Sequence, residues 1–172
     1  MIEKDIIHKP DLNLGGLTIY RDAVRGIIYQ DERLLMVYSE QNGDYKFPGG
    51  GVQPGETHPI ALARELREEC GAELTASGAA YARIVELDQA VDEGVDIFKM
   101  CSTYYLCQIA PELGPLTLDD YEKDLGFRPV WIGLEEAICA NTAILHQANS
   151  PSPRWTYRDL FILNEIKKEM PK

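Results

Sequence analysis

The chain of 172 residues carries 17 Lys and Arg against 28 Asp and Glu, a formal net charge of −11, with 45% hydrophobic residues. That length suits one globular domain that buries about 70% of the surface its unfolded form exposes, without help from disulfides or a structural metal. The apolar runs are too short to span a membrane and Met1-Ile2-Glu3-Lys4-Asp5 lacks the features of a secretory leader, so a cytoplasmic protein with no membrane partner is expected. The acidic balance argues against a nucleic acid polymer as partner, because binding its backbone requires surplus Lys and Arg. A small anion carried by a metal ion remains compatible with it.

Residues 1–17 read as an N-terminal arm in which Pro10 and Gly15-Gly16 discourage any long element. The runs Thr18–Tyr29 and Arg33–Ser39, separated at Gln30-Asp31-Glu32, read as a β-hairpin rich in Ile, Val and Tyr. A Gly-rich segment, Pro48-Gly49-Gly50-Gly51, precedes Pro54-Gly55-Glu56. Ala61, Leu62, Leu66 and Cys70 then recur at helical spacing, with Thr57 as N-cap, Pro59 tolerated in the first turn and Gly71 placed to end the helix. Tyr81–Leu87 and Ile97–Ile109 read as strands, the second long enough to hold a bulge. A loop containing Pro111, Gly114, Pro115 and Gly126 leads to a short strand around Pro129–Ile132 and a helix from Leu134 to about Ala140. A C-terminal helix is expected over 152–170, capped by Ser152, with Pro153 just inside and Leu160, Leu163, Ile166 and Met170 as its apolar stripe. Strands and helices mixed along one domain, residues 1–172, predict an α/β fold with helices covering a mixed sheet.

Cys70, Cys101, Cys107 and Cys139 show neither the spacing of a zinc site nor a disulfide framework and read as reduced, mostly buried thiols. His8, His58 and His146 are scattered and read as surface residues.

The informative segment is Gly50 to Ala72. Glu65, Glu68 and Glu69 fall at i, i+3 and i+4 of the helix and so project from one face. An ordinary solvated face would interleave Lys or Arg there, since like charges at this spacing cost about 0.2–0.5 kcal/mol per pair. Arg64 can offset part of that by pairing with Glu68. Hard oxygen donors on one helix face, behind a Gly-rich loop that offers backbone carbonyls, suit Mg²⁺ or Mn²⁺.

From Gly50 the segment reads G-x5-E-x7-R-E-L-x-E-E-x-G-A, which is similar to the signature of the Nudix hydrolases, the MutT-type pyrophosphohydrolases. Gly50, Glu56, Arg64, Glu65, Glu68, Glu69 and Gly71 all match. Ala72 departs from the larger aliphatic residue usual in the family, which bears on packing behind the helix. Looser similarity extends over about residues 18–140. The resemblance implies a loop-helix-loop in an α/β/α sandwich, with helices on both faces of a mixed sheet, and hydrolysis of a nucleoside diphosphate linked to another group. It implies Glu65, Glu68 and Glu69 as metal ligands with the Gly50 carbonyl as a further one. It also implies Arg64 and Glu56 as a salt bridge that orients the helix. Two divalent ions about 3.5–4 Å apart could clamp the entering and leaving oxygens of an in-line displacement.

In many family members an acid outside the box completes the site. Glu122, in the acidic loop with Asp119, Asp120 and Asp124, is the favoured candidate, and Asp92, Glu93 and Asp96 form the fallback. For stacking on a base or reading its edges the candidates are Tyr45, Phe47, Trp155 and Asn149. The absence of the proline signatures that mark NADH-cleaving and ADP-ribose-cleaving relatives tilts the substrate toward a nucleoside triphosphate or other small nucleotide. A nucleotide-binding sensor without turnover is the alternative, and an isomerase of the isopentenyl diphosphate type a third reading for which no cysteine is suitably placed. Homodimers are common in the family, but no stretch here marks an interface. The N-terminal arm is the segment to watch for exchange between subunits.

Overall fold

Hydrophobic alternation in the strands divides the protein into two cores. The structure is a computed structural model that describes residues 1–147 and 153–169. In chain order its elements are β1 (Ile2–Ile7), β2 (Thr18–Ile27), β3 (Tyr29–Gln30), β4 (Arg33–Ser39), β5 (Tyr45–Lys46), α1 (His58–Cys70), β6 (Leu74–Gln89) and β7 (Ile97–Ile109). They continue with α2 (Asp120–Asp124), β8 (Phe127–Gly133), α3 (Leu134–Leu145) and α4 (Arg154–Glu169). One sheet is mixed, in the order β1-β6-β7-β2, and the other joins β3, β4 and β5 with β8 paired to β4. Along β4, Leu35 and Val37 enter a core with Ala61, Leu62, Leu66 and Cys70 of α1. Leu34 and Met36 point the other way, into a core with Ala137 of α3 and Ile162 and Leu163 of α4. Helices thus cover both faces. Ala72 is fully buried in the α1 core, where a larger aliphatic side chain would need room.

Helix α1 begins after Thr57, which occupies the N-cap position without a side-chain cap bond, and carries Pro59 in its first turn. It ends at Gly71, whose φ of 64° is left-handed. The Gly71 and Ala72 N–H groups return to Arg67 and Leu66, closing off the last carbonyls. Gly114 passes so close that a Cβ on Gly71 would run into its backbone.

Several expectations are corrected. The N-terminal arm holds a strand, β1, parallel to β6 from Ile2↔Ala82 to Ile7↔Leu87. It is mostly exposed, so no buried-face pattern announces it, and it pairs within its own chain. The run Thr18–Tyr29 is not one arm of a hairpin. It divides near Ile28, β2 pairing parallel with β7 and only β3 pairing with β4. Strand β6 starts at Leu74 rather than Tyr81, and the extra residues at its register shifts against β7 lie on β6. The acidic loop contains a helical turn, α2, and α3 runs to Leu145. Cys139 is exposed, whereas the other three thiols are buried and free. His8 bonds Glu86 at 3.1 Å, and His58 bridges Asp22 and Tyr105 at 2.7 Å each, so of the three histidines only His146 is plainly a surface residue. The expected cap Ser152 and stripe residue Met170 lie outside the described residues. No described helix is long and apolar enough to cross a membrane.

Replacing Gly71 with Ala forces a left-handed Cβ against the Gly114 backbone and is expected to cost about 1–3 kcal/mol of stability. Urea denaturation measures it, and an unchanged midpoint would contradict the cap geometry.

Candidate active site

The Gly-rich loop is tied to β2 by backbone bonds from Gly26 N–H to the Pro48 carbonyl and from Val24 N–H to the Gly50 carbonyl. Gly49 has a φ of 137°, and a Cβ there would strike the Val24 carbonyl, so only glycine lets the loop lie flat on the strand. Two side chains of α1 tie the loop to the helix, Arg64 and Glu69. Arg64 grips Glu56 with two nitrogens, at 2.8 and 2.9 Å, and donates to Glu65 at 2.7 Å, to Glu68 at 3.1 Å and to the Gly51 carbonyl at 2.9 Å. Glu56 also accepts from Gln53 N–H. The Arg64 hydrogen bonds, with that from Gln53, hold the Glu56 carboxyl down at about 2.

These groups open onto a cavity of about 1090 Å³. One wall is acidic: Glu65, Glu68 and Glu69 from α1, with Asp119 and Glu122 from the start of α2. Asp119 and Glu122 form a reciprocal cap, each side chain accepting from the other's backbone N–H, which fixes Glu122 in place. Burial pushes the Glu122 carboxyl up to about 7; the Asp119 N–H pulls against that and the neighbouring Glu69 charge adds to it. Glu65 is raised as well, by burial first and by Glu69 second. Glu69 is almost fully buried and receives Lys46 at 2.5 Å and the Gly49 N–H at 2.7 Å. Arg21, Arg25, Lys46, Arg64, Arg154 and Arg158 also line the cavity.

Of the residues proposed from sequence, Gly50, Arg64, Glu65, Glu68, Glu69 and Glu122 all line this one cavity, as does Trp155. Tyr45 and Phe47 do not. Phe47 is fully buried, set edge-on against Tyr104 at 5.6 Å, so neither face of its ring is open to a base. Tyr45 lies outside the cavity lining, its ring tilted against that of Tyr38 at 4.9 Å. Asn149 lies outside the described residues. Asp92, Glu93 and Asp96 of the fallback loop do not line the cavity: Asp92 and Glu93 are exposed, and Asp96 instead pins the N-terminal arm through Leu17 N–H and Asn13. Sequence reasoning missed Lys46, Arg25 and Arg158, basic residues in three separate elements. The only signal was that all three sit in otherwise buried stretches.

The carboxylates are hard donors suited to Mg²⁺ or Mn²⁺. Glu65 stands over Gly50 so closely that a Cβ there would fill the space its carboxylate uses. Among the described residues no three such side chains converge as they stand. Glu65 and Glu68 lean on Arg64, and Glu69 on Lys46. A divalent ion could be held by Glu65, Glu68 and Glu69 with the Gly50 carbonyl.

The sequence matches the NUDIX domain family over residues 19–156, and the chain belongs to that family. It is 40% identical over 72 residues to the ADP-ribose pyrophosphatase of Methanocaldococcus jannaschii, covering 40% of this chain and 43% of that protein. It is 43% identical over 58 residues to the CTP pyrophosphohydrolase of Escherichia coli, covering 31% of this chain and 43% of that protein. The matched stretch thus spans less than half the length of either curated relative. In fold the chain is similar to a MutT NUDIX hydrolase from Burkholderia pseudomallei, with a TM-score of 0.56 at 20% identity, covering 83% of this chain and 97% of that one. A NUDIX hydrolase from Nitrosomonas europaea gives a TM-score of 0.52 at 19% identity, covering 89% and 93%.

Because Glu56 is depressed from an unfolded value of 4.5 to about 2, its pairing with Arg64 stabilises the fold above pH 4.5 and is lost as the pH falls through about 2. Glu56→Gln is therefore expected to lie below wild type in urea midpoint at pH 7, with the gap closing between pH 4.5 and 2. A gap independent of pH would contradict the pair.

Proposed function

We propose that the protein is a divalent-metal-dependent pyrophosphohydrolase that cleaves the diphosphate linkage of a small nucleotide, a nucleoside triphosphate being favoured over nucleotides with other substituents. The observation that carries this reading is one cavity lined by the α1 carboxylates and Glu122 together with six basic side chains. The names of the two curated relatives, one acting on ADP-ribose and one on CTP, support cleavage of a nucleotide anhydride.

A bound Mg²⁺ or Mn²⁺ would offset the repulsion between the diphosphate and the acidic wall and draw charge from the scissile P–O bond. The protein's own part is positional. Arg64 holds Glu65 and Glu68 in register with the loop, and Lys46 with the Gly49 N–H holds Glu69. Glu122, with its carboxyl near 7, is matched to take the proton from the attacking water at neutral pH. Trp155, fixed by its indole N–H to Asp44 at 2.7 Å, offers the cavity an aromatic surface for a base.

Purified protein with Mg²⁺ or Mn²⁺ is expected to release pyrophosphate or nucleoside monophosphate from one nucleotide class, and Glu68→Gln to lose that turnover by orders of magnitude while remaining folded. Silence across triphosphates, ADP-ribose, nucleotide sugars and dinucleotides would overturn the proposal. The kcat of the wild type is expected to rise with pH through a value near 7, and Glu122→Gln to be slower by about 100-fold or more and flat over the same range. An unchanged profile in that variant would remove Glu122 from the role of base.

A further inference from the structure

A buried arginine normally has a carboxylate beside it, because an unpaired charge out of water is costly. The cations around the cavity follow that rule with one exception among the buried ones. Arg64 has Glu56, Lys46 has Glu69, and Arg154 reaches Asp88 at 2.6 Å. Arg158 sits between Glu86 at 2.8 Å and Asp159 at 3.0 Å. Arg25 is only 8% exposed and forms no ion pair among the described residues; its one hydrogen bond runs from Nη1 to the Gly49 carbonyl, and its Nε has no partner. Arg158, 1% exposed, likewise keeps one nitrogen, Nη2, without a partner. The two guanidiniums are close enough that Arg158, after burial itself, lowers the affinity of Arg25 for its proton. Both side chains line the same cavity as the carboxylates of α1.

Arg25 Nε and Arg158 Nη2, each left without a partner, can each donate one hydrogen bond to an oxyanion, which also supplies the missing charge. Asp159 forms no hydrogen bond with Arg25, its oxygens taking the Tyr104 hydroxyl, Arg158 Nε and the Phe47 N–H, although its charge and that of Glu69 still favour the charged guanidinium. We propose that Arg25 and Arg158 form an anion site at the cavity that receives the terminal phosphate of the substrate. It selects nucleotides ending in phosphate over those ending in a neutral sugar. The terminal-phosphate assignment rests on the pyrophosphohydrolase reading above; the pocket itself does not.

Inorganic pyrophosphate, titrated calorimetrically into the full chain with chelator present and no divalent ion, tests the pocket without turnover. Arg25→Gln is expected to weaken its binding by tenfold or more. Arg128→Gln, which removes an exposed cation beside Tyr38, is expected to leave it unchanged. Binding within twofold of wild type in folded Arg25→Gln overturns the proposal. Should that variant not fold, the Arg25 Nε–H resonance of the wild-type protein decides: it is expected to shift on saturation with pyrophosphate, and a resonance that stays in place overturns the pocket. With turnover, the kcat/KM ratio for a nucleoside triphosphate over a nucleoside diphosphate sugar is expected to fall about tenfold in Arg25→Gln. An unchanged ratio removes the terminal-phosphate assignment even where pyrophosphate binds. Pyrophosphate binding through Arg25 without hydrolysis of any nucleotide would instead fail the functional reading and leave the pocket standing.

Discussion

Arg64 donates to Glu56, Glu65, Glu68 and the Gly51 carbonyl, so one guanidinium joins the Gly-rich loop, the turn that follows it and the acidic face of α1. Three glutamates at i, i+3 and i+4 repel one another, and without a cation among them they would swing apart into water. A lysine could supply the charge. It could not serve five acceptor contacts in fixed directions, which is what a planar fork of N–H groups does. The depressed Glu56 carboxyl and the strengthened hold of Arg64 on its proton are two views of that same contact.

The rest of the fold makes this contact possible. The loop reaches Arg64 because Pro48 and Gly50 are bonded to β2, and α1 keeps its rotation because Leu62 and Leu66 are locked in the core shared with Leu35 and Val37. Helix α2 adds Glu122 to the same acidic wall, fixed by its exchange with Asp119. The chain as a whole is strongly acidic, yet six of its 17 basic residues line one cavity, so the local field there is bipolar rather than negative. A polyanionic ligand that brings divalent ions would suit such a field, the carboxylates attracting the ions and the arginines the remaining anionic charge.

Much of α1 and its loop was legible because the constraint there is local. Gly71 at the C-cap, Pro59 in the first turn and the acid spacing all act within one helix, and Arg64 reaches Glu56 only eight residues back. The bounds of β7 were legible for a similar reason, since Ile, Phe, Thr and Tyr are spread along a run that holds neither Gly nor Pro. Long-range pairing was not. Strand β1 owes its existence to β6, some eighty residues away, and presents almost no buried face of its own. The division of Thr18–Tyr29 between two sheets depends on β7, which no local pattern in β2 reveals. Phe47 could not be told from a stacking aromatic, because the same residue type serves a core and a ligand and only Tyr104 and the α4 core settle it. Arg25 and Arg158 lay hidden because each stands beside other charged residues of its own element, Arg21 in β2 and Arg154 in α4, and only folding brings both to one cavity.

Arg64, by geometry and not by charge alone, holds Glu65 and Glu68 of α1 in register with the Gly-rich loop. Mn²⁺ binding, followed by electron paramagnetic resonance in wild type and in Arg64→Lys, tests it most directly, because the variant keeps every carboxylate and the net charge. The account predicts Mn²⁺ affinity at least tenfold weaker in the folded lysine variant. Equal affinity in the two proteins would contradict it and leave Arg64 as a counter-charge without a positioning role.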